Sequence, residues 1–326
     1  MPKMTMVQAI NRALHEEMKA DPGVIVLGQD VGVNEGVFRV TAGLHKAFGS
    51  ERVIDTPLAE SAIAGTSIGM ALVGLKPVAE MQFSGFSYIA LGQIEGHASR
   101  WRSRTLGERT SSIVIRMPYG GGVRALEHHS ESREAMYAHL PGLKVVLPSG
   151  PRNARALMLA AIRDPDAVIF MEPKRSYRAF REDVPEEPET MEIGKSQVVQ
   201  QGTDITVISW GAMMRPAMQA AESVLASRGA KIEIIDLLTI SPMDTSTIVS
   251  SVKKTGRCVV VQEAPRSFSV SSEIIARIND ETLAYLEAPV KRVTGYDVVT
   301  PYFSREEPYF PTPRQVIKAI EDTLDY

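Results

Sequence analysis

The chain has 326 residues, 44% hydrophobic and 23% charged, ordinary proportions for a globular protein long enough to hold two cores. Its 36 Lys and Arg against 39 Asp and Glu leave a net charge of −3, which gives no electrostatic case for nucleic acid or an anionic membrane. No run of 18 apolar residues exists to span a bilayer, and the single cysteine, Cys258, excludes an internal disulfide and points to a reducing compartment.

In chain order, Met6, Ile10, Ala13, Leu14 and Met18 recur at helical spacing and predict an amphipathic first helix. Val24–Leu27 reads as a buried strand and Gly28–Gly32 as the turn at its carboxyl end. That turn lacks both glycine-rich phosphate-binding patterns, so a structural role is expected of it. Residues 52–54 form a short strand, and a helix follows to about Gly74, with Thr56 as its cap and Pro57 in its first turn. Glu60 then lies one turn in, at the end of a parallel strand, where α/β folds place their sites. Two readings of Glu60 stand side by side: a solvated carboxylate complementing the helix dipole, or a functional acid. Gly65 and Gly69, four apart, let another backbone approach this helix closely.

A strand at 77–82 and a helix-rich stretch at 88–102 come next. Strand 112–116 leads into the loop Pro118–Arg124, where Gly120, Gly121 and Gly122 favour mobility or close backbone approach. His128 and His129 precede Ser130 at a helix start, either as polar loop residues or as a proton-transfer group. Strand 144–147, helix 151–163 and strand 168–171 continue a βα repeat that implies a parallel sheet covered on both faces. Asp164 and Asp166 sit on the tight loop between the last two, ordinarily a capping arrangement. The acidic, proline-punctuated run 181–189 reads as an interdomain linker with little to bury. Beyond it a second α/β pattern runs through strands 205–209, 231–236, 257–262 and 290–294. Helices 213–228, 244–254 and 270–284 and a last helix from Pro313 alternate with them. The divisions are 1–180, a linker 181–198, and 199–326. Cys258, followed by Val259, Val260 and Val261, is expected to be a buried strand thiol.

The segment Asp55-Thr56-Pro57-Leu58-Ala59-Glu60, with glycines five and nine residues after the Glu, resembles the beta subunit of thiamine-diphosphate-dependent 2-oxo acid dehydrogenases. Gly36–Thr41, Met81-Gln82-Phe83, His129-Ser130, Pro141–Val146, Glu172-Pro173-Lys174 and Lys254–Arg257 fit the same family in order, so the resemblance spans the chain. It implies an α/β fold of two doubly wound domains, a thiamine-enzyme pyrimidine-binding domain plus a transketolase C-terminal-type domain. It also implies oxidative decarboxylation of a 2-oxo acid, pyruvate or branched-chain, with acyl transfer to lipoamide. Activation of the cofactor needs a carboxylic acid hydrogen-bonded to its pyrimidine ring in a dry pocket, and by resemblance Glu60 is that acid. Leu58, Gln82 and Phe86 line the ring pocket by the same match. Of the two histidines, the one directly before Ser in the His-Ser-x-Ser pattern is His129, with an implied role in reductive acylation as proton donor to the lipoyl sulfur.

Thiamine enzymes hold Mg²⁺ and the diphosphate through a Gly-Asp-Gly segment that this chain does not contain. The resemblance assigns that half to an alpha subunit in an α2β2 heterotetramer, with a lipoyl acyltransferase component as further partner. Some relatives bind potassium at the loop equivalent to Asp164–Asp166. The chain departs from the family at Gln29, where many members carry Glu, at Gly92-Gln93, and at Trp101–Thr105. Phe86 leans toward the pyruvate type and Glu172–Arg178 toward the branched-chain type. Alternatives are an acetoin dehydrogenase beta subunit, half of a split transketolase or deoxyxylulose-phosphate synthase, and a non-catalytic assembly subunit. The N-terminus has neither a signal-peptide core nor a transit segment, so a bacterial-type or archaeal-type cytoplasm is expected, with an organelle matrix as the alternative.

Overall fold

The computed structural model describes residues 1–326. Its strands in chain order are β1 (Lys3–Met4), β2 (Val24–Gly28), β3 (Val53–Asp55), β4 (Lys76–Glu80), β5 (Val114–Tyr119), β6 (Lys144–Val146) and β7 (Val168–Pro173). There follow β8 (Glu182–Asp183), β9 (Gln197–Gln200), β10 (Ile205–Ser209), β11 (Ile232–Asp236), β12 (Thr239–Ser241), β13 (Cys258–Pro265) and β14 (Lys291–Gly295). They build a seven-stranded sheet ordered β12-β6-β7-β5-β4-β2-β3 and a five-stranded sheet ordered β14-β13-β10-β11-β9. Within these two sheets all pairings are parallel except those of β12 and β9, which add antiparallel edges, and β1 and β8 form a separate antiparallel pair. Their central strands are buried along their length, as expected of sheets covered on both faces.

The helix Met6–Ala20 forms as its spacing predicts. Thr5 and Gln8 close a capping box at its start, and Met6, Ile10, Ala13, Leu14 and Met18 are all buried. It packs on the helix Pro151–Arg163. The fully buried Arg155 there binds both carboxylate oxygens of Glu16, at 2.9 and 2.7 Å. Cys258 is buried at the start of β13, and burial pushes its thiol far above the ordinary range.

One expectation needs correction, and two features of the fold add to the sequence reading. The helix after β3 begins at Glu60 and runs to Leu72, so Thr56 and Pro57 lie outside it. Its cap position is Ala59, with no side-chain cap, and the Thr56 hydroxyl donates to the Pro57 carbonyl at 3.0 Å instead. The run 181–198 is held against the first half of the chain as a strap. Its β8 pairs with β1, Val184 is buried, and the Arg155 guanidinium takes the carbonyls of Pro185, Glu186 and Glu187. Finally, β12 leaves the second half of the chain and pairs with β6, so the first sheet is closed at one edge by a strand from beyond residue 200.

At the centre of the first sheet three charges are buried side by side. The Arg116 guanidinium on β5 bonds both oxygens of Glu172 on β7 at 2.6 Å and also Glu80 on β4, with Tyr177 donating to Glu172. Burial works against the Arg116 charge, but Glu172 and Glu80 more than offset it and hold it well above its ordinary value. Removing the cation would strand two carboxylates in the sheet. Arg116→Met is expected to destabilise the protein by about 3–5 kcal/mol, read as a fall in the thermal unfolding midpoint. Arg102→Ala, which breaks the solvent-exposed pair with Asp166, should leave that midpoint nearly unchanged.

Candidate active site

The carboxyl ends of β2, β3, β4 and β5 meet at one edge of the first sheet, and the candidate residues lie just past them. Glu60 opens the helix after β3. Residues 60, 63, 64, 67, 68 and 71 form that helix's buried face, so Glu60 points inward with Ile63, Ala64, Ser67, Ile68 and Ala71. It is 4% exposed, and its Oε2 is buried with no hydrogen-bond partner. The solvated reading of this carboxylate therefore fails. A buried acceptor without a donor is costly and rare, and it marks a place for a group that donates.

Asp55, in the same segment, has a different task. Its two oxygens accept the N–H groups of Gly32 (2.6 Å) and Val33 (2.9 Å), fixing the turn after β2. Within that turn Asp30, at φ 60°, accepts the Gln82 amide at 3.0 Å, and the Gln29 carbonyl accepts it at 3.4 Å. The turn is thus structural, as its sequence predicts. Gln82 is held by its nitrogen, and no hydrogen bond engages its Oε1.

Phe83, Phe86 and His129 form one cluster. The His129 ring meets Phe83 edge to face at a centroid distance of 4.3 Å and Phe86 at 5.1 Å. Its Nδ1 is buried without a partner. Gly85 lets the two segments touch, because a Cβ there would lie 1.9 Å from the His128 carbonyl oxygen. His128 itself is exposed and serves through its backbone. Burial first, then the Lys174 ammonium and His128, hold His129 below the ordinary imidazole value. Lys174 is nearly fully buried, and its Nζ bonds the Gly120 carbonyl and lies 5.6 Å from the Phe83 centroid. Burial pushes it down to about 7 against the pull of Glu263 and Glu306.

Glu60 makes no hydrogen bond to these residues. Its helix packs on the turn Ser87–Ala90, which Phe86 opens, so the acid and the aromatic cluster share a wall. Leu58 is 66% exposed, and within this chain it closes no pocket. The Asp164–Asp166 loop lies elsewhere, with its carboxylates already engaged. Lys144 Nζ sits 2.7 Å from both Asp164 oxygens, and Arg102 Nε lies 2.6 Å from Asp166. Gly65 abuts Gln93 of its own chain, with 3.6 Å from a Cβ to Oε1, whereas Gly69 faces open space. Phe83, Asp55 and Lys174 carry parts of the site that the sequence reading left without roles. The signal for Lys174 was its place in the family-matching segment Glu172-Pro173-Lys174 at the end of a buried strand.

Comparison with known proteins adds to this geometry. Residues 2–179 match the family described as transketolase, pyrimidine binding domain, and residues 194–316 match transketolase, C-terminal domain. The chain is 49% identical to the "Pyruvate dehydrogenase E1 component subunit beta" of Acholeplasma laidlawii, over 96% of this chain and 95% of that protein. It is 47% and 46% identical to the proteins of the same name from Staphylococcus aureus and Bacillus subtilis, each over the full length of both chains. Among solved structures, a "Split gene transketolase, inactive beta4 tetramer" superimposes with a TM-score of 0.81 over 99% of each chain. Its identity is 23%, which shows the shared fold.

The Lys174 charge and the His129 proton are coupled across Phe83. Lys174→Met is expected to raise the His129 pKa toward the ordinary imidazole value without reaching it, because burial is the larger cause. A pH titration of the imidazole resonances checks this, and an unchanged or lower pKa would contradict it.

Proposed function

The chain belongs to the beta-subunit family of the thiamine-diphosphate-dependent 2-oxo acid dehydrogenases, built on two transketolase-type domains, and from that premise we propose that it supplies the pyrimidine half of a pyruvate-decarboxylating site. The observation that carries the reading is the Glu60 carboxylate oxygen, buried and unpartnered in the first turn of a helix at the sheet edge. When bound, thiamine diphosphate supplies the carbon nucleophile that decarboxylation of a 2-oxo acid requires.

The residues of this chain divide the remaining work. Glu60 shares a proton with the pyrimidine ring nitrogen, a task suited to a carboxylate withdrawn from water and near a helix N-terminus. Phe86 offers a flat apolar face, and Gln82 offers the free Oε1 of an amide anchored by its nitrogen. Leu58 completes the ring pocket only when a partner covers it. His129, kept neutral near pH 7 by burial and by Lys174, donates from one ring nitrogen and accepts at the other, and acts on the lipoyl sulfur during acyl transfer.

An alpha subunit supplies Mg²⁺ and the diphosphate contacts in an α2β2 heterotetramer, since no Gly-Asp-Gly segment occurs here. The open Gly69 face is available for such assembly. A lipoyl acyltransferase component accepts the acyl group. No helix is long and apolar enough to cross a membrane, and we place the complex in the cytoplasm. Residues 1–180 and 199–326 act as the two domains, with 181–198 strapped between them. A potassium ion at 164–166 would rely on main-chain carbonyls, because Lys144 and Arg102 occupy the carboxylates. Pyruvate is favoured over branched-chain acids and acetoin by the relatives' names and by Phe86.

The test is 2-oxo acid-dependent dye reduction by the chain co-purified with its alpha subunit, with added thiamine diphosphate and pyruvate, 2-oxoisovalerate or acetoin. Pyruvate should be turned over fastest, and the chain alone should be inactive. Glu60→Gln should lower turnover about 10²–10⁴-fold while the heterotetramer still elutes at its native size. Wild-type activity in that variant would overturn the assignment.

A further inference from the structure

Glu306 enters the site described so far only through its pull on Lys174, yet it also grips the histidine loop from the other half of the chain. It opens the short helix Glu306–Tyr309 and is fully buried. Its Oε1 accepts the Gly122 N–H at 3.1 Å and the Ser130 hydroxyl at 3.4 Å, and its Oε2 accepts the Arg124 N–H at 3.2 Å. Glu263 on β13 accepts the adjacent Gly121 N–H at 2.6 Å. The Phe310 ring sits directly on Gly121, where a Cβ would lie 2.1 Å from Cζ. The three glycines therefore serve close approach rather than mobility. Gly120 and Gly122 also hold positive φ, at 75° and 109°.

The same loop is tied to the first sheet on its other side. Ser84 donates its N–H to the Pro118 carbonyl at 2.9 Å and its hydroxyl to the Glu131 carbonyl at 2.8 Å, and the Gly120 N–H donates to Glu131 at 3.0 Å. His129 lies between these two sets of ties, one residue before the Ser130 that Glu306 binds. Three donors converge on one buried carboxylate, and charge-assisted bonds of this kind are the strong ones.

We propose that Glu306 is a positioning residue: by gripping Gly122, Arg124 and Ser130 it holds His129 against Phe83 and Phe86, so that seating of the second domain is required for acyl transfer and not for decarboxylation. The proposal rests on the role given to His129 above. A Gln at 306 keeps the volume but offers one acceptor oxygen and places an N–H₂ opposite a backbone donor. A hydroxyl removed at Ser130 takes away one of the three donors and leaves the carboxylate in place.

The experiment compares wild type, Glu306→Gln, Ser130→Ala, His129→Ala and the exposed interface control Glu307→Ala, each assembled with its alpha subunit. Lipoyl-domain acylation and dye-linked pyruvate consumption are measured, together with amide hydrogen exchange over 120–132. Glu306→Gln should lose about tenfold to a hundredfold in the lipoyl-linked rate. Its dye-linked rate and pyruvate KM should stay within about twofold of wild type. Exchange over 120–132 should accelerate, Ser130→Ala should show the same pattern more weakly, and Glu307→Ala should match wild type. Unchanged exchange in Glu306→Gln, or equal loss in both assays, overturns the proposal. If His129→Ala itself leaves the ratio of the two rates unchanged, the reading of His129 fails. In that case faster exchange in Glu306→Gln would still identify the loop clamp and separate the two failures.

Discussion

A carboxylate oxygen that is buried with nothing to accept from is the constraint around which this site is arranged. Leaving a buried polar group unsatisfied costs about 1–3 kcal/mol, and more when it is charged. A core tolerates that cost where the group's donor arrives from outside. At Glu60 the fold offers the partial compensation of a helix start, and a helix N-terminus favours negative charge. It withholds a cap, however, since Ala59 has no side chain to spare. The neighbouring Asp55 shows the contrast. Its two oxygens are both satisfied by backbone amides within the chain, so it builds the turn and is closed to a ligand.

The other half of the site depends on how loops are held rather than on where strands end. His129 lies in a 3-10 turn, a poor support by itself. Its position is over-determined by neighbours from three directions: Phe83 and Phe86 from the segment after β4, Gly85 beneath its preceding carbonyl, and Glu306 and Glu263 from the second domain. Glycine is what makes the last of these feasible. A side chain at 121 would collide with Phe310, and one at 120 would meet Glu263 Oε1 at 2.4 Å. The domain seam and the histidine loop are thus one packed unit.

Much of this was legible in the sequence. Unbroken apolar strands announce sheets buried on both sides, and the motif places Glu60 near a strand end, but which way its side chain faces was open until the helix showed its buried face at 60, 63, 64, 67, 68 and 71. The helix start was misread because Thr56 and Pro57 have the right chemistry for a start three residues too early, and the chain instead bends through Pro57–Ala59 before the helix opens at Glu60. The run 181–198 was read as a linker with little to bury because its polarity is local, whereas what holds it is Arg155, some thirty residues upstream. Glu306 was invisible for the same reason. Its partners at 122, 124 and 130 are far away in sequence, and no local pattern encodes a carboxylate accepting distant backbone amides.

Two surface features bear on the proposal that the site is divided between chains. Leu58, immediately before the acid's helix, is two-thirds exposed, and the Gly69 face of that helix meets no other atoms. An exposed leucine alone means little. Here it belongs to the stretch that would have to close over a ring bound to Glu60, so the pocket wall stays incomplete until another surface arrives. On the proposed reading Glu60 is already withdrawn from water in the separate chain, and assembly would close the ring's side of the pocket, where expelling water strengthens charge interactions. An acid buried in the separate chain, beside a ring pocket that closes only in the complex, would keep the cofactor from working before its partner subunit is in place.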